Sequence, residues 1–146
     1  MRRARARVSL PLGAAAASIA VTIALGGCGG VKAADLFLLT RTGSGPQARL
    51  TLLVNEEGLA SCNGKAAAKI SDPQLVQAHA IQEELHDAAA ANLSLPPQPG
   101  SVLTYTVRVE SGTVRFSDNS ARQPHVLRQL ALLALQVAQQ VCHLPE

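Results

Sequence analysis

Hydrophobic and polar positions change period several times along this chain, and the changes mark its elements. Asp35 to Arg41 reads as a first strand, with Leu36, Phe37, Leu38 and Leu39 nearly continuous. Thr42-Gly43-Ser44-Gly45-Pro46 is a cluster of turn formers. Arg49 to Asn55 follows as a second strand, Leu50, Leu52 and Val54 falling on one face and Arg49 and Thr51 on the other, the period of two expected of a half-buried strand. Glu56-Glu57-Gly58 turns into a third strand, Leu59 to Cys62, and Asn63-Gly64 is a two-residue hairpin signal, since both positions tolerate positive φ. Lys65 to Ile70 is a weak return arm.

The period then becomes helical. Ser71-Asp72-Pro73 opens a helix, with Asp72 expected as N-cap and Pro73 as its first residue. Leu75, Ala78, Ile81, Leu85 and Ala89 recur on one face, and the Pro-rich loop Leu95 to Gly100 ends the unit. The clearest alternation comes next: Leu103, Tyr105, Val107 and Val109 against Thr104, Thr106, Arg108 and Glu110. Ser111-Gly112 turns this strand back into Thr113 to Ser117, with Val114 and Phe116 facing inward. Pro124 to His143 closes the chain as a helix with a stripe of Leu127, Leu130, Ala134, Val137 and Val141 and a polar side of Gln129, Gln136, Gln139 and Gln140. Leu132, Leu133 and Leu135 lie beyond that stripe, so this helix is either buried on more than one side, the commoner case, or offers a surface to a partner. The order β-β-β-α-β-β-α predicts an α+β fold: an antiparallel sheet of four to five strands with both helices packed on one face, which buries both apolar stripes.

Ahead of this domain the chain has a different character. Arg2, Arg3, Arg5 and Arg7 form a basic leader, a run rich in Ala, Ile, Val and Leu extends from Val8 to Leu25, and Gly26 and Gly27 precede Cys28. A charged n-region, an apolar h-region and a small-residue cleavage site describe a secretory signal peptide. Leu25-Gly26-Gly27-Cys28 resembles the lipobox of bacterial lipoproteins. That resemblance implies diacylglyceryl transfer to the Cys28 thiol, removal of residues 1–27, and a lipid-anchored N-terminus on the extracytoplasmic face of the cell membrane. The alternative for the apolar run is a retained anchor, since about 18 apolar residues just span a bilayer. Pro11, Gly13, Ser18 and Thr22 dilute it. Arg2-Arg3 is not followed by the residues of a twin-arginine signal, which leaves the export route open.

Cleavage changes what charge and composition mean. The whole chain carries 13 Lys and Arg against 10 Asp and Glu, but four of the basic residues and none of the acidic ones precede Cys28. The mature part is close to neutral, so the basic balance belongs to the leader and gives no support for nucleic-acid binding. Residues 28–34 then form the lipidated cysteine and a small-residue tether, and residues 35–146 one α+β domain. Fully extended, the six residues after Cys28 reach only about 20 Å. Phe37, Tyr105 and Phe116 are the only aromatic residues, so the core rests on Leu, Val, Ile and Ala. Stacking platforms for sugars or single strands are correspondingly disfavoured. Cys62 and Cys142 are an even pair in an exported domain, expected to form a disulfide joining a strand end to the last turn of the closing helix.

Constellations with chemical meaning are few. His79, Glu83 and His86, spaced four and three apart on one helical stripe, are the best but a weak candidate for a metal site; the stripe lies opposite the apolar face, and a solvated His and Glu face is the favoured reading. Glu56-Glu57 and Glu83-Glu84 are adjacent carboxylates at a turn and on a helix surface. Gly43-Ser44-Gly45 lacks the Lys-Ser/Thr ending of a phosphate loop, and no serine sits in a nucleophile elbow. These readings point away from an enzyme and call for no cofactor.

An early Arg41-Thr42-Gly43 turn between two strands, followed by a helix, a strand hairpin and a closing helix, resembles the emfourin-type inhibitors of thermolysin-like metalloproteases over roughly Leu36 to Leu144. The resemblance implies a protein partner outside the cell and lies in element order rather than residues, so no binding residue is carried over. The expectation is a lipid-anchored binding or accessory module, the alternative an emfourin-like inhibitor of a secreted metalloprotease.

Overall fold

The computed structural model describes residues 34–45 and 48–144. The leader, the Leu25–Cys28 motif and nearly all of the tether lie outside the described residues. The elements are β1 (Asp35–Gly43), β2 (Leu50–Asn55), β3 (Leu59–Cys62), β4 (Ala68–Lys69), α1 (Asp72–Ala90), β5 (Leu103–Val109), β6 (Gly112–Ser117) and α2 (His125–Gln140). All strand pairs are antiparallel, in the spatial order β4-β3-β2-β1-β5-β6. The α+β class and the antiparallel sheet agree with the sequence reading, but the sheet has six strands rather than four or five. The extra strand is the return arm after Asn63-Gly64, where only Leu59↔Lys69 and Ala60↔Ala68 pair. Two residues are too few to carry a periodic signal.

Alternation decides which side of the sheet is buried. Leu39 lies opposite Leu52 on one side and Val107 on the other, Leu52 opposite Cys62, and Val107 opposite Val114. All five are buried and share one core cluster with Ala78, Ile81, Leu85 and Ala89 of α1 and Leu127, Leu130, Leu133, Ala134 and Val137 of α2. A register shift between Asp35 and Phe37 explains why the adjacent Leu36 and Phe37 are both buried. Tyr105 and Phe116 stack with ring centroids 4.7 Å apart.

The first strand runs on to Gly43, because β5 pairs along it beyond the end of β2, with Thr42↔Thr104 and Gly43↔Leu103. Arg41, Thr42 and Gly43 therefore lie in a strand and not in the turn that the inhibitor resemblance placed there. The hairpin tip behaves as expected: Asn63 and Gly64 both have positive φ, of 53° and 71°, and the Lys65 amide donates to the Cys62 carbonyl at 3.0 Å.

The first helix begins one residue earlier than Asp72-Pro73 suggested. Ser71 is the N-cap, its hydroxyl accepting from the Gln74 amide while Gln74 Oε1 accepts from the Ser71 amide at 3.0 Å. This capping box outweighs Asp72, which instead places a carboxylate in the first turn, where the helix dipole favours it. Ser71→Ala is expected to cost about 1 kcal/mol, read as a lower denaturant midpoint at unchanged slope. A loss below a few tenths would show that the box contributes nothing.

Helix α1 starts beside the β2–β3 turn, where the Ile70 amide donates to the Gly58 carbonyl at 2.9 Å. It ends beside the β5–β6 turn, where the Ser111 hydroxyl donates to the His86 carbonyl at 3.0 Å. Gln74 Nε2 donates to Gln140 Oε1 at 3.1 Å, joining the start of α1 to the end of α2, so the helices run antiparallel. Among the described residues no buried side-chain nitrogen or oxygen lacks a partner.

Candidate functional site

The two remaining cysteines meet as expected. Cys62, 1 % exposed on the inward face of β3, is bonded to Cys142 just beyond α2, with Cα atoms 6.0 Å apart. Alternation along β3 aims Cys62 into the core, and α2 delivers Cys142 over it.

The metal candidate does not assemble. His79, Glu83 and His86 are exposed on α1, and among the described residues no three His, Cys, Asp or Glu side chains are placed to hold an ion. Seven residues of helix separate the two imidazoles by about 10 Å of axial rise, and among the described residues no further His, Cys, Asp or Glu joins them in a site. His86 Nδ1 instead lies 3.1 Å from Asp87 Oδ1. Glu56 and Glu57 are exposed at the β2–β3 turn, and Glu83 and Glu84 on α1.

At the far end of the sheet, Arg41 is half-buried beside Tyr105 and its Nε donates to the Ala48 carbonyl at 3.3 Å. Burial pushes the Tyr105 phenol up by more than the Arg41 guanidinium lowers it. Asp118 accepts from the Ser101 hydroxyl at 2.8 Å and the Val102 amide at 3.2 Å. Slight burial opposes ionisation there, but these bonds outweigh it and hold the carboxyl below its usual value. Both groups are tied into the protein itself, Asp118 pinning the loop that enters β5.

The closing helix is less buried than its composition suggested. Leu133 is in the core, whereas Leu132 and Leu135 are 52 % and 40 % exposed. The expectation of burial on more than one side fails for those two residues.

The feature not legible beforehand is the second face of the sheet. Both helices bury their stripes on the other side, so Leu38, Leu53, Thr40, Thr51 and Thr106 lie on a face that no described helix covers, with none of them buried. Four cations surround this neutral centre: Arg49 just before β2, Lys69 opposite Leu59, Arg108 opposite Leu38, and Arg115 opposite Thr106. All four are exposed, and none forms an ion pair among the described residues. The carboxylates lie at the margin of this face or away from it. Asp72, Glu83, Glu84 and Asp87 are exposed on α1, and Asp35, Glu56, Glu57 and Glu110 occupy the end of the sheet where β1 begins. Sequence alternation puts Arg49, Arg108 and Arg115 on polar sides, but only the strand order adds Lys69 and puts all four on one face.

Comparison with known proteins finds no family model, no curated protein and no solved structure that matches this chain. Among the described residues no helix is long and apolar enough to cross a membrane.

Proposed function

We propose that this protein is an extracytoplasmic lipoprotein, anchored through Cys28, whose domain is a non-enzymatic binding or accessory module. The observation that carries the reading is the fate of the three cysteines. Cys62 and Cys142 are bonded to each other within the domain, as suits a compartment outside the reducing cytoplasm. That leaves Cys28 unpaired within the chain, at the junction of an apolar leader with a short tether, where thiol lipidation has its substrate. A binding role is supported by the sheet face opposite the helices, with its neutral centre and a border of cations that form no ion pair among the described residues.

The test is the mass and partition of the full chain expressed in a bacterial host. The wild-type protein is expected in the membrane fraction, processed at Cys28 and carrying a lipid mass. Cys28→Ala should persist as an unlipidated precursor. Equal masses and equal membrane retention for the two would overturn the reading. The alternative, an inhibitor of a secreted metalloprotease, makes a different prediction, stoichiometric loss of thermolysin-like activity on titration. The position of Arg41–Gly43 inside β1 weighs against it.

A further inference from the structure

We infer that the uncovered face of the sheet is a docking surface for an anionic lipid bilayer, so that the anchored domain lies on its open face. This rests on the lipid anchor proposed above and adds an orientation and a second membrane contact.

Three stances present different charges to the bilayer. Standing on the end where β1 begins would point Asp35, Glu56, Glu57 and Glu110 at the lipid. Lying on α1 would present Asp72, Glu83, Glu84 and Asp87. Both place like charge against an anionic surface. The open face presents Arg49, Lys69, Arg108 and Arg115 around the half-buried Leu38 and Leu53, with Asp35 and Glu110 at the rim where β1 begins, outnumbered by the four cations. Cations can reach lipid phosphates while the neutral centre meets the interface. A second copy of the same face would be repelled.

The tether makes this modest attraction sufficient. Six residues separate Cys28 from Asp35, a reach of about 20 Å, so the domain is held close to a surface whose charge is screened over about 10 Å and returns to it repeatedly. Each Lys or Arg near such a surface contributes about a factor of five in affinity, and four together fix the orientation of a domain already held there.

The experiment is arginine footprinting with a dicarbonyl reagent, read by mass spectrometry on the full chain incorporated into vesicles. One set is phosphatidylcholine, the other phosphatidylcholine with about a third phosphatidylglycerol. Arg128, exposed on α2 on the other side of the domain, is the internal reference. Arg49, Arg108 and Arg115 are expected to be modified several-fold more slowly in the anionic vesicles, with Arg128 unchanged and the protection lost at high salt. R108Q/R115Q, at two exposed positions outside the core, should weaken surface affinity on the order of twenty-fold and release Arg49 to the reagent.

Equal modification in the two vesicle types overturns the docking. So does protection by an added acidic polypeptide or polysaccharide that neutral and anionic vesicles leave equally unaffected, because it assigns the face to a different partner. The intact mass of the same sample reports separately on Cys28: a chain without lipid there overturns the anchor, whatever the arginines show.

Discussion

Gly112→Ala is expected to destabilise the domain by about 4 kcal/mol or to prevent its accumulation, an effect in the range reserved for direct conflict with the packed structure. Gly112 opens β6 with φ at +152°, and a methyl group there would lie 2.1 Å from the carbonyl oxygen of Ala89 and 2.8 Å from its carbonyl carbon. The obstacle is backbone in the last turns of α1, so no side-chain rotation relieves it. The Ser111 hydroxyl already holds this turn to the His86 carbonyl, and separating the elements would open the contact that buries Ala89. Gly64→Ala is the matched control. It too has positive φ, +71°, but nothing lies within 4 Å of the added carbon, so only the backbone preference is lost, about 1 kcal/mol. Equilibrium denaturation of both variants separates the two contributions. Equal losses would show that α1 does not approach the β5–β6 turn as closely as described.

Much of this architecture could be read from local pattern. β5 keeps four inward residues in strict alternation, and Tyr105, Val107 and Val109 are buried where that alternation puts them. The α1 stripe is buried at Ala78, Ile81, Leu85 and Ala89 because one amphipathic face has one sheet to pack on. The failures have physical causes too. β4 is too short for a period, and the Ser71 cap depends on a reciprocal bond with Gln74 that competes with the equally plausible Asp72. Leu132 and Leu135 are exposed because, among the described residues, α2 packs on the sheet and α1 alone, which a hydrophobic composition cannot reveal.

The candidate site illustrates the same limit. Helical spacing put His79, Glu83 and His86 on one stripe, but a metal site needs ligands that converge, and among the described residues none do. Conversely, Arg49, Lys69, Arg108 and Arg115 are scattered in sequence and acquire meaning only through sheet order. Insertion of β1 between β2 and β5 brings the β2–β3–β4 and β5–β6 segments into one surface. Information of that kind resides in long-range pairing, which local periodicity does not encode.

Opening the Cys62–Cys142 bond is the second change expected to be large. The bond closes a loop with a sequence separation of 80, and on the chain-entropy account its loss costs about 4 kcal/mol, lowering the melting temperature by on the order of 15 °C. The two single variants should not be equal. In Cys142→Ser the half-buried end is changed and Cys62 remains a buried thiol, a group that packs as a small hydrophobe. In Cys62→Ser a hydroxyl replaces sulfur at a position 1 % exposed among Leu52 and its neighbours, adding about 1–2 kcal/mol for a polar group without an assured partner. The ranking wild type, Cys142→Ser, Cys62→Ser therefore tests the bond and the inward aim of Cys62 together. If Cys142→Ser and the reduced wild type unfold at the same midpoint, the bond accounts for the loss. If the unreduced, unfolded wild-type chain yields alkylatable thiols at both Cys62 and Cys142, the two are not joined, and the export argument resting on them falls as well. A domain that depends on this bond would fold poorly in a reducing cytoplasm. On the lipoprotein reading proposed above, processing at Cys28 and oxidation of Cys62 with Cys142 would belong to the same journey across the membrane, one fixing the place of the domain and the other its stability there.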